Sequence, residues 1–342
     1  MTTLPNLFAR LSPPADKADL SFAAFPLPGH HDHLLGKDGS AAPCLLFSVQ
    51  EMTLRPAPIR LEHLSVDHNA HCTIHTNGGV TEGHFTIIRC HNAPVSLHDL
   101  FLRLAEPLVR KIPPQPTPSD VHRTVTAIVE LFRAAARPAT KTLQGLWSEL
   151  FLIAQAQNPG VLLQAWHTTI DERYDFANGP QRIEVKSTST RVRQHVFSLE
   201  QLSPPAGTRL IIASLFAERS AGGTSVADLL DTIGNAVSSA TLLADAQRIA
   251  YVSLGNNWRE GVATKFDREL ATASLCYIDA AHAPSIPGPL PPGVTQVRFL
   301  SDLTSAPTLS MNDLQDAGGL HAATRPRKTA EHSHCHSPLK RT

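Results

Sequence analysis

Four prolines fall within the seven residues 113–119, in the stretch IPPQPTPSD. No helix runs through such a segment, because each proline lacks an amide hydrogen and clashes with the preceding turn. This is the strongest interruption in the chain. It predicts a Pro-rich linker over 113–119, with one domain before it at 1–112 and another after it at 120–303.

On the N-terminal side, CLLFSVQ, IRLEHLSV, HCTIHT and GHFTIIRC alternate apolar and polar residues as strands do, and TNGG is a hairpin signal. VSLHDLFLRLAEPLVRK reads as a closing helix, since Leu97, Leu100, Phe101 and Leu104 share one face. Residues 1–112 are therefore expected to be β-rich. On the C-terminal side, SDVHRTVTAIVELFRAAARP and TKTLQGLWSELFLIAQAQNPG read as helices, and LLQAWHT, ERYDFAN and QRIEVKST as three short strands. SLEQL reads as a short helix capped by Ser198, and TRLIIASLFA as a buried strand. SVADLLDTIGNAVSSATLLADAQ is helical in two pieces, and IAYVSL, ASLCYID and TQVRFL are later strands. The expected class is α/β, with an antiparallel strand pair near the start of the sheet. From about residue 304 the pattern fades into polar, basic sequence, and 304–342 are expected to be disordered.

Bulk properties exclude several classes. Lys and Arg number 30, as do Asp and Glu, so no global field draws the chain to nucleic acid and any such binding needs a local patch. The five cysteines are odd in number and form no CxxC pair, which suits a reducing compartment. MTTLPNLFARLSPP lacks the apolar core of a signal peptide, and no run is long enough to span a bilayer. A cytoplasmic protein without a membrane partner is expected. No P-loop, GxGxxG after a strand or GxSxG elbow occurs. The 18 histidines cluster in GHHDH (29–33), DHNAHCTIH (67–75) and HSHCH (332–336), none with the paired spacing of a structural zinc site. In the second cluster His71, Thr73 and His75 share a strand face with Cys72 opposed.

The chemistry concentrates in RYDFANGPQRIEVKS. Alternation sends Glu184 and Lys186 to one face of a strand, and Ile183 and Val185 to the other. Asn178-Gly179 supplies a tight turn, so Asp175 on the preceding strand comes within cross-strand reach of Glu184. Two carboxylates at that distance repel, and a hard divalent cation resolves the conflict. Mg²⁺ is the expected ion, with Mn²⁺ as a substitute. Lys186 beside it would stabilise negative charge or orient a water during phosphodiester hydrolysis. On the preceding helix, Leu146, Leu150 and Ile153 form an apolar face with Glu149 at its edge, where a carboxylate needs a partner. The metal is the partner expected, directly or through water. The plainer reading makes Glu184 and Lys186 a solvated strand face and Asp175 a turn acid. Trp147 and Trp166 read as helix–sheet contacts, because only 6% of residues are aromatic and none alternate with basic residues.

The order and residues resemble the PD-(D/E)XK nuclease superfamily, with its restriction-endonuclease-like core of helix, three strands, helix and strand in a mixed sheet. The likeness is closest to a bacterial branch associated with restriction and phage defence, marked by GLWSELFLI, W…YDF, IEVKS and HVFSLEQL, all within residues 145–202. The resemblance implies that Asp175 and Glu184 bind the metal, that Lys186 assists the nucleophile, and that Glu149 supplements the metal set. It implies an Mg²⁺-dependent endodeoxyribonuclease, with DNA and other defence-system subunits as partners. One departure is Tyr174, where the superfamily name has proline. Gln201 corresponds to a glutamine that touches the site in related nucleases, or else lies on a helix surface. His195 could approach the scissile phosphate, or be a satisfied polar neighbour. Arg191 and Arg193 could hold flanking phosphates, or be the charges of an edge strand. Two cuts on a duplex need two sites, which points to a homodimer. The alternative function is a non-catalytic DNA-binding or scaffolding subunit of a defence complex.

Overall fold

The computed structural model describes residues 3–327 apart from residues 17, 50–55, 92, 94, 136–137, 140, 167–172 and 289. The chain forms two compact units, one of residues 1–142 and 239–263, the other of residues 143–238 and 264–342.

The first unit begins with α1 (Leu4–Ala9) and six strands: β1 (Ser21–Pro26), β2 (His33–Asp38), β3 (Pro43–Ser48), β4 (Ile59–Arg60), β5 (Leu64–Thr76) and β6 (Gly79–Cys90). Their order is β1-β2-β3-β6-β5-β4, and β5 also pairs in parallel with β1, from Ser21↔Thr73 to Ala23↔His75. That pairing closes five strands into a ring. The β5–β6 hairpin turns at Asn77-Gly78, as the TNGG signal requires. A bulge between Asp67 and Ala70, with Asn69 at φ 50°, bends β5, which pairs with three strands: β6, β4 before the bulge and β1 after it. The ring is filled by Phe22, Leu34, Leu46, Cys72, Ile74 and Ile87. Gly36 leaves room for Leu46 there, since a Cβ would lie 2.5 Å from Leu46 Cδ1 and that side chain would have to shift. Cys72 points inward and His71 outward, as alternation predicts.

Helices α2 (Val95–Arg110) and α3 (Pro118–Ala135) follow, and Leu97, Leu100, Phe101 and Leu104 are all buried. The Pro-rich segment thus ends one helix and starts the next, but both helices pack together in the same unit. It is a helix break and not the domain boundary that the sequence suggests.

The second unit contains α4 (Leu143–Gln155), α5 (Pro159–Ala165), β7 (Phe176–Asn178), β8 (Gln181–Thr188), β9 (Gln194–Ser198), β10 (Arg209–Phe216), β11 (Arg219–Ser225) and α6 (Val226–Ala236). The chain then gives α7 (Ala240–Leu254) and α8 (Trp258–Ala263) to the first unit. It completes the second with β12 (Lys265–Phe266), α9 (Arg268–Ser274), β13 (Cys276–Asp279), β14 (Arg298–Asp302), α10 (Met311–Ala317) and α11 (Gly319–Ala323). The main sheet runs β13-β10-β8-β7, with β8 and β10 parallel and the outer strands antiparallel to them. β9 pairs with β14, and β11 with β12. Helix α4 packs on β8 and α6, and α11 packs on β8 and α5. The fold is mixed α/β. No helix among the described residues is long and apolar enough to cross a membrane.

Four elements differ from expectation. Leu162–Ala165 of LLQAWHT are helical in α5, because Asn158-Pro159 starts a helix and proline suits its first position. Among the described residues of that stretch, Trp166 alone keeps strand character, bridging Phe176, while His167 and Thr168 lie outside the described residues. SLEQL is a turn, cut short by Pro204 and Pro205. IAYVSL is the end of α7, an apolar run too short for periodicity to assign. Finally, residues 304–327 are ordered, with Leu314, Leu320, His321 and Thr324 buried. The rest of the expected tail, including HSHCH, lies outside the described residues.

Candidate active site

The hairpin between β7 and β8 sets the site. Its register is Phe176↔Ile183, Ala177↔Arg182 and Asn178↔Gln181, with Gly179 in the left-handed region at φ 52°. Asp175 immediately precedes β7. Asp175 Oδ2 accepts the backbone N–H of Val185 at 2.8 Å, which draws its carboxylate onto β8.

Glu184 is 4% exposed although its neighbours on the strand are apolar. Its Oε1 accepts from Lys186 Nζ at 2.8 Å and from Gln201 Nε2 at 2.6 Å. Lys186 also donates to Gln201 Oε1 at 3.4 Å, and its ammonium lies 4.8 Å from the Phe197 ring centroid. Gln201 is held by its own turn: its Oε1 accepts from the Ser198 N–H at 3.0 Å, and its N–H donates to Ser198 Oγ at 3.2 Å. Tyr174 is buried beside Phe197 and Ile212, and its hydroxyl donates to the Glu200 carbonyl at 3.4 Å. The residue that departs from the superfamily name therefore ties the approach to Asp175 to the turn that carries Gln201.

Glu149 is more deeply placed than the edge of a stripe. Residues 146–154 of α4 are all buried, and Glu149 is 3% exposed. Its Oε2 accepts the indole N–H of Trp166 at 2.7 Å. Trp166 in turn bridges Phe176, the residue after Asp175. Trp166 is the helix–sheet contact expected, and it also links the helix acid to the strand acid. The sequence hint for that link is the W…YDF spacing.

Among the described residues, no three of His, Cys, Asp and Glu converge as a group that could hold a metal ion. The expected set of Asp175, Glu184 and Glu149 is not drawn into one cage, and none of the described histidines joins such a group. The donor chemistry of Asp175 and Glu184 still suits a hard divalent cation, since Mg²⁺ is commonly held by one or two carboxylates with water completing its shell. Glu149, on the indole of Trp166, fits the role of a supporting acid better than that of a ligand.

The other candidates have protein partners. His195 is 3% exposed, and its Nε2 lies 2.8 Å from Ser214 Oγ. Burial, with the Lys186 and Arg193 charges nearby, pushes its pKa down to about 4, so the ring is neutral at neutral pH. Arg193 donates to Ser214 O at 2.9 Å, to Ser214 Oγ at 2.8 Å and to the Ser274 carbonyl, and lies over the Phe216 ring. Arg191, at φ 56°, forks onto Glu218 at 2.5 and 3.1 Å. The two arginines do not share a strand face, because β9 starts only at Gln194. Both are occupied by protein groups.

Residues 4–304 match a family model described as "Putative PD-(D/E)XK family member, (DUF4420)". The match covers most of the chain and elements of both units, and the chain belongs to this family. No curated protein and no solved structure matches the chain.

Proposed function

We propose that the second unit is a divalent-metal-dependent nuclease that hydrolyses DNA phosphodiester bonds. One observation carries the reading: Lys186 and Gln201 meet on the same buried oxygen of Glu184, at 2.8 and 2.6 Å, and the next residue of the strand, Val185, gives its N–H to Asp175. A buried carboxylate is costly unless paired, and here Glu184 is paired with the half-buried ammonium of Lys186. Membership of a PD-(D/E)XK family supports the same chemistry.

In this reading Asp175 and Glu184 hold Mg²⁺ or Mn²⁺. The ion, when bound, supplies a water of lowered pKa and neutralises charge on the phosphate. Lys186 is placed to orient the attacking water or to offset the charge that builds in the transition state. Gln201 keeps the Glu184 carboxylate in one orientation. Glu149, through Trp166, fixes the segment that leads to Asp175. Water oxygen bonds to phosphorus and gives up one proton to solvent, the phosphorus bond to the leaving oxygen breaks, and that oxygen takes up a proton from solvent. Restriction or anti-phage defence, with partner subunits, is the setting we infer from the resemblance. A homodimer would supply two such sites to a duplex.

Plasmid DNA incubated with the protein and Mg²⁺ or Mn²⁺ should be cut, and Lys186→Ala should abolish cutting. No cutting, together with no metal-induced thermal shift that Asp175→Ala removes, would leave a non-catalytic DNA-binding or scaffolding subunit.

A further inference from the structure

The residues after 304 lie beyond the matched family region, yet they touch the elements that carry the candidate site. Gln181, at the start of β8, makes four hydrogen bonds to the backbone between α10 and α11. Its Nε2 donates to Ala317 O at 2.9 Å and Gly318 O at 3.2 Å. Its Oε1 accepts from Leu320 N at 2.7 Å and His321 N at 3.3 Å. Helix ends leave such groups without intrahelical partners, and α11 has no cap from its own flanking side chain. One amide on the catalytic strand therefore caps two helices of the C-terminal segment. Gly319, at φ 53°, is required by this contact, since a Cβ there would lie 2.7 Å from Gln181 Oε1. Beside it, the fully buried His321 places Nε2 3.1 Å from Arg182 O.

The same segment then closes the junction of α4 and α5. The Asn158 N–H donates to Ala323 O at 3.3 Å, and the Gln157 N–H to Arg325 O at 2.5 Å. Arg327 donates from its backbone N–H to Gln155 O at 3.0 Å and from Nε to Ala156 O at 2.9 Å. Tyr277 on β13 anchors the middle, its hydroxyl donating to Thr324 O at 2.9 Å. The elements so joined are α4, which bears Glu149, α5, which leads into Trp166, and β8, which bears Glu184 and Lys186.

We propose that residues 305–327 are a strap that holds the nuclease site in register, with Gln181 as its positioning residue. The effect on catalysis rests on the function proposed above. The geometry explains why such a strap matters: displacement of a catalytic group by about 1 Å can cost on the order of a hundredfold in rate. The strap touches backbone at the ends of α4 and β8, and so acts on placement and not on the chemistry itself.

Gln181→Ala and Gly319→Ala in the full chain break the clasp from opposite sides. Each should speed hydrogen exchange at residues 319–324 and at the amides of Ile183–Lys186. Each should lower kcat on plasmid about tenfold while KM stays within about twofold. Gln181→Glu, which keeps the acceptor and loses the donors, should fall between wild type and Gln181→Ala. Unchanged exchange on β8 in both alanine variants would overturn the strap, as would an equal loss in kcat/KM carried by KM alone. Should the intact protein not cut DNA at all, the nuclease reading fails, and the exchange measurement still decides whether the strap holds β8. Should Gly319→Ala not fold, the exchange and kinetic results for Gln181→Ala decide it.

Discussion

Trp166 donates its indole N–H to Glu149 Oε2 across 2.7 Å, with both residues buried. A hydrogen bond to a charged group contributes more than a neutral one, and a buried carboxylate that loses one is left poorly solvated. Trp166→Phe keeps an aromatic ring and removes the donor. It should destabilise the protein by about 2–4 kcal/mol, the sum of a lost charged bond and a small cavity. Trp166→Phe combined with Glu149→Leu should recover part of that loss, because no buried carboxyl group is then left short of its donor. Denaturant unfolding of the two variants checks this. Equal stability of Trp166→Phe and wild type would mean that the bond does not matter in solution.

The ion pair between Lys186 and Glu184 leads to a less obvious prediction. A divalent cation entering at Asp175 and Glu184 has to compete with the ammonium for Glu184 Oε1. Lys186→Met should therefore lose cleavage by about a hundredfold or more, yet bind Mg²⁺ at least as tightly as wild type. Thermal shift against Mg²⁺ concentration separates the two effects. A variant that loses the metal-induced shift together with activity would show that Lys186 builds the metal site instead of competing for it.

Arg193 and Arg191 test the alternative that these arginines grip phosphates. Arg193 holds three protein acceptors on Ser214 and Ser274, so Arg193→Ala should cost about 2–3 kcal/mol of stability. It should leave the salt dependence of DNA binding unchanged. Arg191 pairs with Glu218 in solvent, and Arg191→Ala should leave both the unfolding midpoint and the salt slope as they are. A phosphate contact would instead reduce the slope by about one ion for each arginine removed.

Local chemistry was legible where one residue type decides. Asn77-Gly78 and Asn178-Gly179 made their hairpins, and the Glu184–Lys186 pair fell on one side of β8. Gln201 reached the pair that the resemblance implied. The failures came where long-range packing decided. The Pro-rich segment looks like a linker because proline stops helices, yet whether two helices then pack together depends on α7, more than a hundred residues away. The tail looks disordered because it is polar, but its described part, residues 304–327, is held by backbone groups that meet Gln181, Asn158 and Tyr277, and no periodicity records those. In the sequence Glu149 stands out as an acid in an apolar helix, while its partner Trp166 reads only as a packing residue. An indole donor is invisible to a hydrophobic pattern.

His195 offers a test of the electrostatics with a definite sign. Its folded pKa is near 4, below the ordinary value of 6.5, because the charged ring would be buried beside Lys186 and Arg193, with Asp302 offsetting this only in part. Between these two values the unfolded chain binds the proton and the folded chain does not. Stability from this residue is therefore complete above about pH 6.5 and is lost as the pH falls toward 4. The full loss is on the order of 3 kcal/mol. His195→Asn keeps a polar group for Ser214 Oγ and cannot titrate. It should cost stability at pH 8 but narrow the gap to wild type as the pH falls to 4.5. Denaturant midpoints measured for both proteins across that range give the answer directly. Parallel curves would show that His195 titrates normally and is not enclosed as the structure has it.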